Sequence, residues 1–311
     1  MSYVGRFAPS PTGPLHFGSL IAAVASYCDA KKNNGIWLIR MEDVDKPREM
    51  AGAADNILRQ LEAFGFEWDE PIVYQSQRSD IYESYLSDLK RKGFIYNCTC
   101  SRKEIADSSI LTGVDGAIYP KTCFNKNYNS RTSNFNASAG RMDTGSWRIN
   151  VDDAGLIAFK DAIQGDISQN LAADVGDFIL KRKDGLFAYQ LAVVVDDALQ
   201  NVTHIVRGAD LLDSTPRQIY LQQLLRFVTP NYAHIPVVVN AQNEKLSKQT
   251  LAKNIEPEAA PMLVFEALQF LGQQPPLEIK NATLAEVWRW AITSWRLDNV
   301  PKNRRQFKNR I

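Results

Sequence analysis

The stretch from Tyr3 to Met41, YVGRFAPSPTGPLHFGSLIAAVASYCDAKKNNGIWLIRM, decides the fold. Tyr3 to Ala8 reads as a short strand. Pro9-Ser-Pro-Thr-Gly-Pro14 cannot extend it, because each proline removes a ladder donor. Ser19 to Lys32 reads as a helix with Leu20, Ile21, Val24, Tyr27 and Cys28 on one face. Asn34-Gly35 is a left-handed stop signal, and Ile36 to Met41 reads as a buried strand ending in Glu42-Asp43. Strand, loop, helix and strand in this order predict parallel pairing through a right-handed crossover. The expected class is α/β with a Rossmann-like parallel sheet.

Outward from that unit, Ala53 to Phe64 and Ser79 to Lys92 carry apolar faces at helical spacing, stopped by Gly65 and Gly93. Residues 94–175 change character. They hold three of the four cysteines and a polar stretch from Asn125 to Gly145, and read as a separate insertion of strands and long loops. Phe178 to Lys183 and Phe187 to Val195 look like strands joined by a hairpin turn at Asp184-Gly185. Val202 to Arg207 is a further strand, and Thr215 to Phe227 a helix with Pro216 in its first turn. Ile235 to Val239 is again a strand, and the chain looks helical from about Ile255. The expected segments are 1–95 and 176–254 as two halves of one catalytic domain, 96–175 as an insertion, and 255–311 as a short helical region.

The 311 residues suffice for about two domains and a sizeable core. The net charge of +1 argues neither for nor against a nucleic-acid partner. Locally the balance shifts. Arg289 to Arg310 holds seven basic residues against one acid, residues 121–148 five against one, and residues 42–70 nine acids against three basic residues. The basic stretches fit a surface that tracks phosphates and equally a solvated face. No secretory leader and no apolar run of membrane-spanning length is visible, so a cytoplasmic protein without a membrane partner is expected. Four cysteines make no disulfide scaffold, and clustered cysteines in a reducing compartment lean towards metal.

Pro11-Thr-Gly-Pro-Leu-His16-Phe-Gly18-Ser19 joins a strand to a helix, where open α/β sheets bind ligands. The helix N-terminus offers N–H groups to phosphate, Gly18 allows close approach, and His16 can donate to a phosphate oxygen. Taken alone, the motif also fits a structural histidine. Lys245-Leu-Ser-Lys248, in a loop after a late strand, can close on a polyphosphate or be an exposed turn. Asp196-Asp197 and Asp210 suit ribose hydroxyls and N-caps equally.

Together these residues resemble a known family. Arg6-Phe-Ala-Pro-Ser-Pro-Thr-Gly-Pro-Leu-His16-Phe-Gly-Ser is similar to the first signature of the glutamyl-tRNA synthetases, class I enzymes, and Lys245-Leu-Ser-Lys248 to their second. Arg40-Met-Glu-Asp-Val-Asp45 and Val206-Arg-Gly-Ala-Asp210 match further segments in the same order, and the likeness covers roughly residues 3–255. Ser19 stands where many class I enzymes have a second histidine, and Gln249 follows the second signature where arginine or serine is common. Only 57 residues follow Asn254, too few for the helical anticodon-binding region of full-length relatives. The pattern therefore resembles the shortened branch that attaches glutamate to queuosine in the anticodon loop of tRNA(Asp).

The resemblance implies a class I synthetase catalytic domain with a zinc-bearing insertion, acting as a monomer on ATP with Mg²⁺, L-glutamate and the anticodon stem-loop of tRNA(Asp). It implies catalytic roles for His16, Lys245 and Lys248, and ATP contacts from His16, Gly18 and Lys248. Arg6, Phe7, Ala8, Pro9, Ser10, Glu42, Tyr189 and Arg207 fall on glutamate-binding positions. The residue types agree: a guanidinium grips a carboxylate with two parallel bonds, and a carboxylate at Glu42 can meet an ammonium. Cys98-Thr-Cys100 with Tyr119 and Cys123 offers three thiolates and a phenol, which suits a closed structural zinc site. Three free thiols beside a packed tyrosine are the alternative, and Cys28 reads as core. Two other functions stay open, a short glutamyl-tRNA synthetase charging a 3′ end and a non-catalytic RNA-binding paralogue.

Overall fold

A computed structural model of the chain describes residues 2–125, 144–240, 242 and 254–307. The opening unit forms as read. β1 (Val4–Phe7) pairs parallel with β2 (Ile36–Met41) across α1 (Phe17–Lys32), in the register Val4↔Ile36 to Phe7↔Ile39. The helix starts two residues early because the His16 side chain caps it, accepting from the Ser19 N–H at 3.2 Å. It stops at Asn34, the residue in the left-handed region (φ 50°). Gly35 serves a different need. A Cβ there would lie 2.6 Å from the Tyr3 carbonyl oxygen.

β2 continues the sheet to β3 (Val73–Tyr74), again parallel. On the other side of β1 lies β11 (His204–Gly208), joined through the Thr203 N–H to the Val4 carbonyl at 2.9 Å and the Val4 N–H to the Thr203 hydroxyl at 2.8 Å. β11 pairs parallel with β12 (Asn231–Ile235), which pairs parallel with β8 (Leu156–Asp161), and β8 pairs antiparallel with β9 (Gly165–Asn170). Strand order thus runs outward in both directions from the β1–β11 junction. That junction is a topological switch point, and open α/β sheets bind ligands outside the strand carboxyl ends at such points.

α1 is buried nearly all round, including Ala23, Ala25, Ser26, Asp29 and Ala30, because later helices cover its outer side. α2 (Ala53–Ala63) and α3 (Ser79–Arg91) follow in sequence, and α4 (Arg102–Ser108) opens with a Ser101–Glu104 capping box. The segment after α3 is not self-contained. β4 (Ile95–Cys98) and β10 (Ile179–Lys181) flank β7 (Ser146–Ile149) in one antiparallel sheet, while β8 joins the main sheet. β5 (Thr112–Gly113) and β6 (Gly116–Ala117) make a small hairpin.

One assignment is overturned. The turn at Asp184-Gly185 forms, with Gly185 at φ 88° and Lys181 bridged to Phe187, but the return arm is a helix, α5 (Tyr189–Leu199). Leu191 to Asp197 are all buried in it. A helix hydrophobic on every side shows no 3.6-residue periodicity, and its Val-Val-Val run mimics a buried strand. Asp196 and Asp197 consequently lie within a helix rather than after a strand. α6 (Thr215–Leu225) carries Pro216 in its first turn. The strand expected at Ile235–Val239 begins at Asn231 and breaks at Pro236 into β12 and β13 (Val237–Val239). The last part holds α7 (Ala260–Phe270) and α8 (Leu284–Ser294), and ends unexpectedly in β14 (Arg305–Phe307), parallel to β13. Trp288 donates to the Phe64 carbonyl at 2.8 Å and Trp295 to Asp29 at 2.9 Å, which fastens this part to α1 and α2.

Candidate functional site

Arg6 lies near the end of β1 and Arg207 near the end of β11, on either side of the switch point. Both are buried, at 3% and 4% exposure, so each needs built-in partners. Arg6 Nε meets Asp197 Oδ1 at 3.1 Å, and the same oxygen takes Arg40 Nη1 at 2.8 Å. Arg40 also reaches Gln200 at 2.9 Å and Glu42 at 3.5 Å. The two arginines hold the Asp197 carboxyl below the usual carboxylate range against the opposing effect of burial. Asp196 is spent equally, accepting from Gln75 (2.8 Å), Arg78 (2.7 Å) and the Tyr82 hydroxyl (2.7 Å). Both carboxylates of this pair thus carry a structural task.

Glu42 follows β2, and its N–H donates to the Pro9 carbonyl at 2.9 Å, so strand end and proline loop move as one. Burial raises the Glu42 carboxyl, Arg40 and Arg6 oppose that, and Asp197 adds to it. Tyr189 opens α5 rather than a strand, yet its hydroxyl lies 3.4 Å from Arg207 Nη1. Burial raises its phenol first, and Arg207, Glu42, Arg6 and Asp197 all act on it. Arg6, Glu42, Tyr189 and Arg207 therefore lie close enough for their charges to act on one another. Phe7 turns its ring into the core, stacked on Trp37 at 6.3 Å, so only its backbone faces outward. Ala8 is half-buried, Pro9 buried and Ser10 exposed.

His16 sits at the N-terminus of α1, its ring engaged with Ser19 through Nδ1 (3.2 Å, to N–H) and Nε2 (3.3 Å, to hydroxyl). Gly18 lies in the same first turn. Lys245 and Lys248 lie outside the described residues. Asn254, six residues after Lys248, is bridged antiparallel to His16, and the Ile255 N–H donates to the Leu15 carbonyl at 3.2 Å. Gln60 locks the same crossing, accepting from the Leu15 N–H at 2.8 Å and donating to the Ile255 carbonyl at 3.1 Å. Asn254 and Ile255 therefore meet the chain at Leu15 and His16.

The sulfur atoms of Cys98, Cys100 and Cys123 lie within 4.8 Å of one another and could hold a metal ion. The Tyr119 hydroxyl is 3.3 Å from Cys98 Sγ and 3.6 Å from Cys100 Sγ, and Cys100 and Cys123 Sγ are 3.5 Å apart. A tetrahedral zinc with sulfur at about 2.3 Å spaces its ligands about 3.8 Å apart, so the set fits that ion. Burial alone would raise the Cys123 thiol, but the Tyr119 hydroxyl and the Thr99 backbone pull it down to about 6, towards thiolate. Burial pushes Cys100 up to about 11. Cys28 is fully buried in the core, away from this cluster.

The supporting roles of four residues escaped the sequence reading: Arg40, Asp161, His234 and Gln60. Arg40 was visible as a charge inside an apolar strand, Ile36-Trp-Leu-Ile-Arg-Met41. His234 stands likewise inside Tyr232-Ala-His-Ile-Pro236, where a buried polar group needs a partner.

The family described as tRNA synthetases class I (E and Q), catalytic domain, matches residues 3–287. The chain is 54% identical over 301 residues to the glutamyl-Q tRNA(Asp) synthetase of Dechloromonas aromatica, covering 96% of each chain. It is 51% identical over 301 residues to the protein of that name from Neisseria meningitidis serogroup A, covering 97% of this chain and 98% of the relative. Among solved structures, a glutamate tRNA ligase from Elizabethkingia meningosepticum in complex with its amino acid has a TM-score of 0.75 at 23% identity. That likeness, over 97% of this chain and 66% of the other, is one of fold. A family match over most of the sequence, with relatives more than half identical across nearly their whole length, establishes that the chain belongs to the class I tRNA synthetases of the glutamate and glutamine group, and within it to the glutamyl-Q tRNA(Asp) synthetases.

Proposed function

We propose that the protein is a ligase that activates glutamate with ATP and transfers it to queuosine in the anticodon loop of tRNA(Asp). The observation that carries this reading is the cluster at the switch point, where two guanidiniums, a carboxylate and a phenol lie within reach of one another's charge. An acidic amino acid supplies the complement, two carboxylates and one ammonium.

In the first step an α-carboxylate oxygen of glutamate bonds to the α-phosphorus of ATP, and the bond to pyrophosphate breaks. The products are glutamyl-adenylate and pyrophosphate, with Mg²⁺ accompanying the nucleotide. Positioning and charge stabilisation supply the catalysis. Arg6 and Arg207 grip the glutamate carboxylates, Glu42 the ammonium, and Tyr189 a carboxylate oxygen. The backbone from Phe7 to Ser10 lines the pocket floor. His16 and Gly18 meet the phosphates at the start of α1, and Lys245 and Lys248 steady the leaving pyrophosphate. In the second step a hydroxyl of queuosine attacks the acyl carbon and AMP departs. A single-stranded anticodon loop can splay that base into the site.

Cys98, Cys100, Tyr119 and Cys123 hold a structural zinc in this reading. Four protein ligands would close the site, so the group would tie Cys98-Thr-Cys100 to the Tyr119–Cys123 turn and leave no open position for water. Residues 1–95 and 176–254 act as the catalytic domain, 96–175 as the zinc-bearing insertion and 255–311 as a short helical region. The protein works as a cytoplasmic monomer. Among the described residues, no helix is long and apolar enough to cross a membrane.

Labelled glutamate offered with tRNA(Asp) carrying queuosine, and with tRNA(Asp) lacking it, tests the acceptor. Label on the modified tRNA alone is expected, and equal labelling of both overturns the assignment. ATP–pyrophosphate exchange dependent on glutamate, without tRNA, tests activation.

A further inference from the structure

Arg207 is held by a relay that runs sideways across the sheet. Its Nε lies 3.0 Å from His234 Nε2, and His234 Nδ1 lies 2.6 Å from Asp161 Oδ2. The three residues come from β11, β12 and β8, which are neighbours in that order. Arg207 and His234 are register partners, so their side chains share one face. The side chains of His234 and Asp161 are both fully buried.

Chemistry fixes the proton. An arginine Nε is always a donor, so His234 Nε2 must accept, and its hydrogen sits on Nδ1, donated to Asp161. Burial drives His234 down to about 4, so the ring is neutral near pH 7. Asp161 is itself immobilised, accepting from the backbone N–H of Ile163 (3.0 Å), Gln164 (2.8 Å) and His234 (3.1 Å). Arg207 Nη2 donates to Thr215 (2.8 Å) and Gln218 (2.7 Å). With Nε and Nη2 tied, the guanidinium plane is set and Nη1 turns to the Tyr189 hydroxyl.

The contrast with Arg6 carries the argument. Arg6 touches the Asp197 carboxylate directly, which offsets its charge. Arg207 meets its carboxylate only through a neutral imidazole, a ring's width away. Its orientation is fixed while its charge stays available to a ligand.

We infer that Asp161 and His234 are positioning residues that set the affinity for the amino acid by aiming a charge-retaining Arg207 at a substrate carboxylate. The inference rests on Arg207 being a glutamate ligand.

The test is ATP–pyrophosphate exchange with KM measured separately for glutamate and for ATP. His234→Asn keeps a donor for Asp161 but cannot reach Arg207, whereas His234→Gln places an amide oxygen where Nε2 stood. A hydrogen bond to a charged group is lost in the first variant, and glutamate KM is expected to rise about tenfold or more. ATP KM stays within about twofold, and His234→Gln recovers most of the loss, since uniform effects would mean general damage. Equal increases in both KM values, or an unchanged glutamate KM in His234→Asn, overturn the inference. Should His234→Asn not fold, Asp161→Asn reads the same link, with the same selective rise expected. If Arg207→Gln leaves glutamate KM unchanged, the pocket assignment fails and takes this inference with it. If Arg207→Gln raises it and His234→Asn does not, only the inference fails.

Discussion

Asp197→Ala is the sharpest probe of how the pocket is built. One oxygen of Asp197 holds Arg6 at 3.1 Å and Arg40 at 2.8 Å, and all three side chains are at most 5% exposed. Removing the carboxylate takes a partner from two buried cations. Arg40 keeps Glu42 at 3.5 Å, while Arg6 loses its ion-pair partner. Breaking a buried pair by deleting one member costs about 3–5 kcal/mol, and two dependent guanidiniums place this variant in the upper half of that range. The pH dependence has a definite sign. Asp197 titrates below its unfolded value, so its stabilisation is complete above pH ~4 and fades as pH falls through the lower folded value. Urea unfolding of both proteins at pH 7, 5 and 3 is the assay. The stability gap should be equal at pH 7 and 5 and narrower at pH 3. A gap below about 1 kcal/mol at pH 7, the range of an exposed pair, or a gap that widens in acid, would refute this account of the network.

Gly35→Ala forces a Cβ to within 2.6 Å of the Tyr3 carbonyl oxygen, so thermal melting should show a loss of about 1–3 kcal/mol, the usual cost of overpacking; an unchanged melting temperature would show that the β1–β2 edge yields freely. Cys98→Ser and Cys123→Ser should each lower zinc measured by plasma emission on purified protein, and strong chelation should reduce wild-type stability. Cys28→Ala, a change in the core, should leave the zinc content as it is. Trp288→Phe loses the 2.8 Å bond to the Phe64 carbonyl and should destabilise by about 1–3 kcal/mol, since a buried acceptor is left unmade.

Legibility followed the range of the forces involved. The β1–α1–β2 unit could be read because its proline loop, helix periodicity and strand run are local, and the strands pair parallel as expected. The Cys98, Cys100, Tyr119 and Cys123 set was nameable from spacing, and the sulfurs do cluster. Tyr189 was placed on a strand that is a helix, because an apolar run buried on all sides carries no period. Asp196 and Asp197 were read as ligand or cap residues because their partners, Arg78 and Tyr82 for one and Arg6 and Arg40 for the other, lie more than a hundred residues away.

The sequence by itself determined which chemical groups are available and the local elements that carry them: two arginines on strand ends, a histidine before a helix, a cysteine cluster. Their signals lie within one turn, one strand or one short motif. Only the tertiary structure decided how those groups are held. Asp197 between two guanidiniums and His234 between Asp161 and Arg207 are contacts across strands and helices. A buried charge accepts whichever opposite partner the packed fold brings to it, and nothing in its immediate neighbours along the chain announces that partner.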